Sequence, residues 1–475
     1  MTNKTYRTLA LGLAITLTSS IAVCSAAEPA AAFPAPQNGI QQEPLADGST
    51  PPGPPPDGNM PSGNPADMQQ GKDISTFTAA FLLDGTAKKS TNEIIMAENA
   101  DENAVLLKNK AALTMTNATL KKIGDTTNGD NSNFKGQNAV FLAFDSTAVL
   151  SNTTLASSGE GSNAVFATGK TSKVTADHLK IHTTKNSSRG LDATYNGTII
   201  ATDIDVTTEG NHCAALATDR GEGTIAVTRG TFTTAGEGSP CIYSTGSISV
   251  NDSHGIASDS EIAVVEGKNS ITLNNADLTG SKKHGIMLYQ SFSGDATTGI
   301  AKFNAANSKL TSLADGPMFY ITNTQAEATL ENTQLHYKGN TLINVTSDHW
   351  GKSGTNGGDF TFTGINQILR GDVIANNIST VVLNLKNKTT LTGAINKDKA
   401  AKEVTLYLDK TSVWNVTADS YLTILTDDAT SLKNIKSNGH TIYYESGNIA
   451  NAWLKNKEHK LSNGGKLIPL PVKTT

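Results

Sequence analysis

Aromatic residues make up only 5% of this 475-residue chain, and it holds 3 cysteines and 3 tryptophans. So few rings leave little to fill a wide globular core, and so few cysteines exclude a disulfide-dense scaffold. An excess of positive charge is also missing. The 38 Lys and Arg residues face 43 Asp and Glu, which excludes the basic face that nucleic acid selects. Arginine is scarcer still: beyond Arg7 there are Arg189, Arg220, Arg229 and Arg370, and the first three of these lie within residues 189–229. After the N-terminal segment no long apolar run occurs, so no further hydrophobic membrane helix is expected.

Small and turn-forming residues are abundant instead. Glycine stands at 42, and Ala, Ser, Thr and Asn are common, which favours many short strands over helices. The opening "MTNKTYRTLALGLAITLTSSIAVCSAA" carries Lys4 and Arg7, then an apolar run, then small residues. This is the pattern of a secretory signal peptide over residues 1–27, and it implies export to the extracellular space or cell surface. The alternative makes Cys24 a lipoprotein acceptor. Val23 stands where lipobox patterns want Gly, Ala or Ser, and membrane contact depends on that lipidation. Residues 28–70 hold most of the prolines and almost no bulky apolar residues, so they read as a disordered linker that cannot offset its chain entropy by burial.

From about residue 75 the chain repeats. One column reads "NAVLL" at 103, "NAVFL" at 138, "NAVFATG" at 163, "RGLDATY" at 189, "CAALATD" at 213 and "PCIYSTG" at 240, mostly 24–27 residues apart. A second reads "LTMTNATL" at 113, "AVLSNTTL" at 148, "KVTADHL" at 173, "IATDIDV" at 200, "AVTRGTF" at 226 and "ITLNNADL" at 271. Apolar residues alternate with hydroxyls and amides within each unit, which is strand periodicity, and Gly, Asn, Asp and Ser fall between units as turns. A fixed period in the twenties built of short strands means a coil stacked on itself. The expected fold is therefore all-β, a right-handed parallel β-helix of ten to twelve coils over 71–400, with terminal coils and a C-terminal cap over 401–475. Its core columns include Val140, Leu150, Val165, Val174 and Leu216. Asn117, Asn152, Asp203, Asn275 and Asn332 share one bend, either as a hydrogen-bonded ladder or as separate Asx turns.

The repeat, the composition and the leader resemble right-handed parallel β-helix proteins of bacterial surfaces, namely adhesin-like proteins and the pectate-lyase-like superfamily. The tail "IKSNGHTIYYESGNIANAWLKNKEHKLSNGGKLIPL" resembles the end of secreted adhesin-like β-helix proteins of gut bacteria. The resemblance implies an exported, adhesin-like protein that binds glycans or extracellular matrix without catalysis. It leaves open a lyase or hydrolase acting on an acidic polysaccharide, and a purely structural envelope protein. Against an enzyme stands the lack of the paired aspartates of the inverting pectin hydrolases.

The middle coils depart from the bland repeat. Arg189, Asp192, Tyr195, His212, Asp219, Arg220, Glu222 and Tyr243 replace Asn, Ala and Thr at matching places, and form a candidate recognition face for the hydroxyls and carboxylates of a glycan. The competing reading pairs these charges with one another. Trp350, in the longest Gly-rich insertion, is either a sugar-stacking ring or a cover over the coils. Glu160, Glu209 and Glu237 sit in similar turns, and a row of carboxylates there suits calcium, the one cofactor this pattern leaves open. Cys213 and Cys241 lie about one coil apart, close enough for a disulfide or, alternatively, for two buried thiols.

Overall fold

The computed structural model describes residues 74–471, so the expected leader, linker and Cys24 lie outside it. Strands occupy 52% of the chain and helix 3%, and the parallel sheets form a β-solenoid of about 16 turns. The excess over ten to twelve coils comes from units that lack the "NAV" pattern but still pair. Thr341–Thr346 joins Asp372–Ala375, and Thr380–Lys386 joins Glu403–Leu408.

Twelve strands from successive coils form a parallel sheet, called the first sheet below, which begins at Thr78–Asp84 and ends at Asp372–Ala375. The second sheet is made of longer strands bent in the middle, such as Thr147–Ser157, Lys173–Thr183, Thr198–Thr208 and Thr224–Thr234. Alternation decides what faces inward. In the first sheet Val105, Phe141, Val165, Leu191, Leu216, Ile242, Ala263, Ile286 and Phe319 stack in register and are all buried in one core. The expected core residues Val140, Leu150, Val165, Val174 and Leu216 are each at 0% exposure in that core. Burying each Val or Leu side chain contributes roughly 1.5–3 kcal/mol, repeated at every coil.

The bend in the second sheet follows from one residue per coil in the left-handed region. Asn92, Asn117, Asn152, His178, Asp203, Arg229, Asp252, Asn275, Asn307, Asn332, Asn366 and Asn387 have φ between +49° and +58°. Asparagine tolerates this conformation better than most residues, which explains its recurrence. The backbone N–H of Asn275 donates to the Ala306 carbonyl of the next coil, and that of Asn307 to Glu331. The side chains are linked as well: Asn275 Nδ2 donates to Asp252 Oδ1 at 2.7 Å and Asn332 Nδ2 to Asn307 Oδ1 at 3.3 Å. The ladder reading holds at Asn275 and Asn332, and the bend at each level comes with a left-handed backbone.

Three segments leave the solenoid over the first sheet. One carries the helix Gly129–Lys135, started by Asn128, whose Oδ1 accepts from the Asn131 N–H at 3.0 Å, and ended by Gly136 at φ +76°. The others are residues 290–299 and 347–358, which interrupt the strand pattern. At the C-terminal end the antiparallel pair His459–Lys460 and Lys466–Leu470 breaks the parallel order and closes the stack. Trp414 is fully buried and donates to the Gly393 carbonyl at 2.9 Å, while Trp453 donates to Leu425 at 2.9 Å.

Candidate functional site

The outward column of the first sheet changes character along its length. In register it runs Leu106, Leu142, Phe166, Asp192, Ala217, Tyr243, Val264, Met287, Tyr320. Ile74 and Phe77 cover its apolar start, packing on Leu106, Leu142 and Phe166. Past Phe166 the residues Asp192, Tyr243 and Tyr320 enter the column, and the helix and the segment 290–299 cover its first polar levels. Thr194 Oγ1 donates to the Phe134 carbonyl at 2.8 Å, and the Arg220 guanidinium lies 3.7 Å over the Phe134 ring.

Beneath this roof the sequence-predicted residues meet. Arg189 Nη2 lies 3.2 Å from Asp219 Oδ2, Nη1 lies 3.6 Å from Asp192 Oδ2, and Nη1 donates to Asn133 Oδ1 at 2.9 Å. Asp192 is at 0% exposure, with Arg189 as its ion-pair partner. Burial pushes its pKa well up against the pull of Arg189, with Asp219 adding to the rise. Burial likewise pushes Asp219 up to about 7, although Arg189 opposes it. Asp219 Oδ1 accepts from the Arg220 N–H at 2.9 Å.

Arg220 forms a two-pronged pair with Asp295 Oδ1, at 2.9 Å from Nε and 2.6 Å from Nη2, which ties segment 290–299 to the sheet. Tyr195 lies beside Arg220, and burial raises its pKa. Glu222 pairs with Lys268 at 2.8 Å, its side chain at 37% and that of Lys268 at 45% exposure, so this edge of the face is open to solvent.

A second buried carboxyl lies further along. Glu266, at 1% exposure, accepts from Tyr243 Oη at 2.5 Å, from Tyr289 Oη at 3.1 Å and from Ser291 Oγ. Burial raises its pKa, and the hydroxyls of Ser291 and Tyr243 pull the other way. Both tyrosines are raised well above the usual phenol range by burial and then by the Glu266 charge. Trp350 is buried at 3% exposure against Tyr289 and Phe292, with ring centroids 5.4 and 5.9 Å away, so it covers the coils and does not offer a free stacking ring.

His212 sits half-buried in the turn before the sheet at φ +57°, its N–H donating to the Glu237 carbonyl at 3.0 Å. The carboxylates of Glu160, Glu209 and Glu237 do not gather into one group. Glu160, Glu209 and Glu237 are exposed, the Asn211 side chain accepts from the Glu237 N–H at 2.9 Å, and Glu209 pairs with His182 at 2.7 Å. Among the described residues the only group of acids and histidines with ligand atoms mutually within 4.8 Å is Asp177, His178 and Asp203. Both Asp203 oxygens there are taken by Arg229, at 2.7 and 2.8 Å.

The disulfide is absent, since Cys213 and Cys241 are both free and buried. Cys213 stacks with Ser188 and Ser239, accepting from the Ser188 N–H at 3.0 Å while its own N–H donates to Ser239 Oγ at 2.9 Å. Cys241 belongs to the apolar core. The residue aligned with Cys213 is thus Ser239, two positions short of Cys241. Burial raises the two thiols to about 11 and about 12, which leaves them as packing groups with little thiolate.

Sequence reasoning missed Glu266 and Asp295. Glu266 follows "AVV" as Asp219 follows "LAT", and that shared offset was readable. Asp295 lies in an irregular insertion whose partner, 75 residues earlier, no repeat announces. Searches of protein families and of curated proteins return no match to this chain.

Proposed function

We propose that this is an exported surface protein whose β-solenoid presents the roofed middle of the first sheet to glycans or extracellular matrix and binds them without catalysis. The supporting observation is the concentration of chemistry on one face. Two guanidinium groups, four acids and two tyrosines gather between Arg189 and Asp295, where earlier coils carry Leu and Phe in the same outward column. The buried pairs hold the frame, and the rim of Tyr195, Arg220, Glu222 and Lys268 supplies donors and acceptors to sugar hydroxyls and carboxylates. Export rests on the leader pattern of residues 1–27. A glycan array on the purified chain is expected to give defined hits that weaken when Arg220→Ala is combined with Arg189→Ala. Undiminished binding by a folded double variant overturns the assignment.

One observation favours a second reading, cleavage of an acidic polysaccharide. Asp219 holds its proton up to about 7 beside Asp192 and Arg189, and neighbouring carboxyls with displaced pKa values are the usual equipment of acid–base catalysis. Release of new reducing or unsaturated ends from the array's hits, abolished by Asp219→Asn, would decide for it.

A further inference from the structure

A groove of about 580 Å³ follows the bend of the second sheet, on a different surface from the roofed face. One wall is the left-handed column from Arg229 to Asn332. The other is the start of the following strands, with His254, Asp277, Lys309 and Gln334. We propose that this groove binds a neutral linear polysaccharide laid along the solenoid axis, with about one sugar per coil.

The argument starts from spacing. Coils in a parallel stack recur at roughly 4.8 Å, so each wall repeats its hydrogen-bonding groups at that interval. The advance of a pyranose unit in an extended chain is similar, so successive sugars can meet successive coils. Chemistry comes next. A sugar hydroxyl both donates and accepts, and the amides of Asn275, Asn307, Asn332 and Gln334 offer both roles at three of the five levels.

The wall is also fixed in advance. Positive φ sets each backbone, and the links from Asn275 to Asp252 at 2.7 Å and from Asn332 to Asn307 at 3.3 Å hold the side chains. Little side-chain entropy is then lost on binding. Charge excludes a polyanion: Arg229 is committed to Asp203 at 2.7 Å and Lys309 to Asp277 at 3.1 Å. Absence of an aromatic or large aliphatic anchor among the groove's lining residues argues against a protein partner.

This site is independent of the first-sheet reading, and either can fail alone. The test is calorimetric titration of the full chain with xylo-, cello- and manno-oligosaccharides of increasing length. One series is expected to bind with affinity that grows up to about five sugars, one for each coil from Arg229 to Asn332, and then levels. Asn275→Gly with Asn307→Gly removes two amides and keeps the left-handed backbone. It should cost about tenfold or more in affinity with an unchanged circular dichroism spectrum, in the range of one to two lost hydrogen bonds. Failure of all three series to bind, or binding that survives the double glycine variant, would each overturn the proposal.

Discussion

Asp219 makes the roof sensitive to pH, and the direction can be worked from its surroundings. Its pKa rises from 3.8 to about 7 because burial penalises the charge more than Arg189 repays. If the roof lifts, water reaches the carboxyl and the pKa falls back towards its ordinary value. The closed form therefore holds a proton that the open form releases between about pH 4 and pH 7. By linkage, closure is strongest at the acid end of that window and weakens as pH rises through it, to a total of about 4 kcal/mol, and is level above it. Asp192, also raised by burial, extends the loss in the same direction. Carboxylates held low by their partners act oppositely in other coils. Asp125 is held down by the Glu160 N–H and Lys185, and Asp203 by Arg229, so acid below about pH 4 removes their contribution. Stability of the whole stack should therefore peak in mild acid.

The assay is amide hydrogen exchange of the helix Gly129–Lys135 and the strand Leu191–Thr194, corrected for the intrinsic effect of pH on exchange. Protection should fall about tenfold from pH 5 to pH 6 and about fivefold from pH 6 to pH 7, about fiftyfold altogether, for one proton released. Asp219→Asn keeps the acceptor for the Arg220 N–H, seen at 2.9 Å, and leaves Asp192 as the sole close acid on Arg189. That variant should flatten the profile and protect the roof better than the parent at pH 8. Protection that is flat from pH 5 to pH 8 in the parent, or that falls equally in the variant, refutes the reasoning.

Val165→Asp places a charge in a fully buried column and should cost several kcal/mol, read as a large drop in the thermal unfolding midpoint; an unchanged midpoint would remove Val165 from the core. Cys213→Ser should stay within about 1 kcal/mol of the parent, because Ser188 and Ser239 show that a hydroxyl fits the stack, and both native thiols should resist a thiol reagent until the chain unfolds. Asn366→Gly should leave the melting temperature nearly unchanged while Asn366→Val lowers it by the equivalent of about 1–2 kcal/mol, since φ is +51° there and a β-branched side chain opposes that conformation. Arg220→Ala should release segment 290–299 by breaking its pair with Asp295, read as faster proteolysis within that segment.

What the sequence could reveal follows from the range of the forces that write it. Coil and core were legible because inward positions recur at short spacing: Val165, Leu191 and Leu216 are interchangeable apolar residues meeting the same need at each level. The left-handed bend was legible through Asn117, Asn152 and Asn275 for the same reason, since a local conformational demand selects one residue type repeatedly. The grouping of Arg189, Asp192, Asp219 and Arg220 was readable as a departure from that rule. What it does physically was not, because burial is decided by the roof, and the roof comes from insertions with no repeat. Asn133 reaches Arg189 across 56 positions and Asp295 reaches Arg220 across 75. The disulfide expectation failed on register alone: Cys213 aligns with Ser239, and a slip of two residues along a coil moves a thiol from the turn into the core. The choice between the two readings of Trp350 was not legible for the related reason that its partners, Tyr289 and Phe292, come from an earlier coil and an earlier insertion. In a solenoid the repeat writes the scaffold, and the interruptions that distinguish one coil from the next decide which of its polar groups water can reach. The roof over Asp192 and Asp219 is such an interruption. Their pKa values therefore report on segments far from them in sequence, and the exchange experiment on Asp219 tests that contact directly.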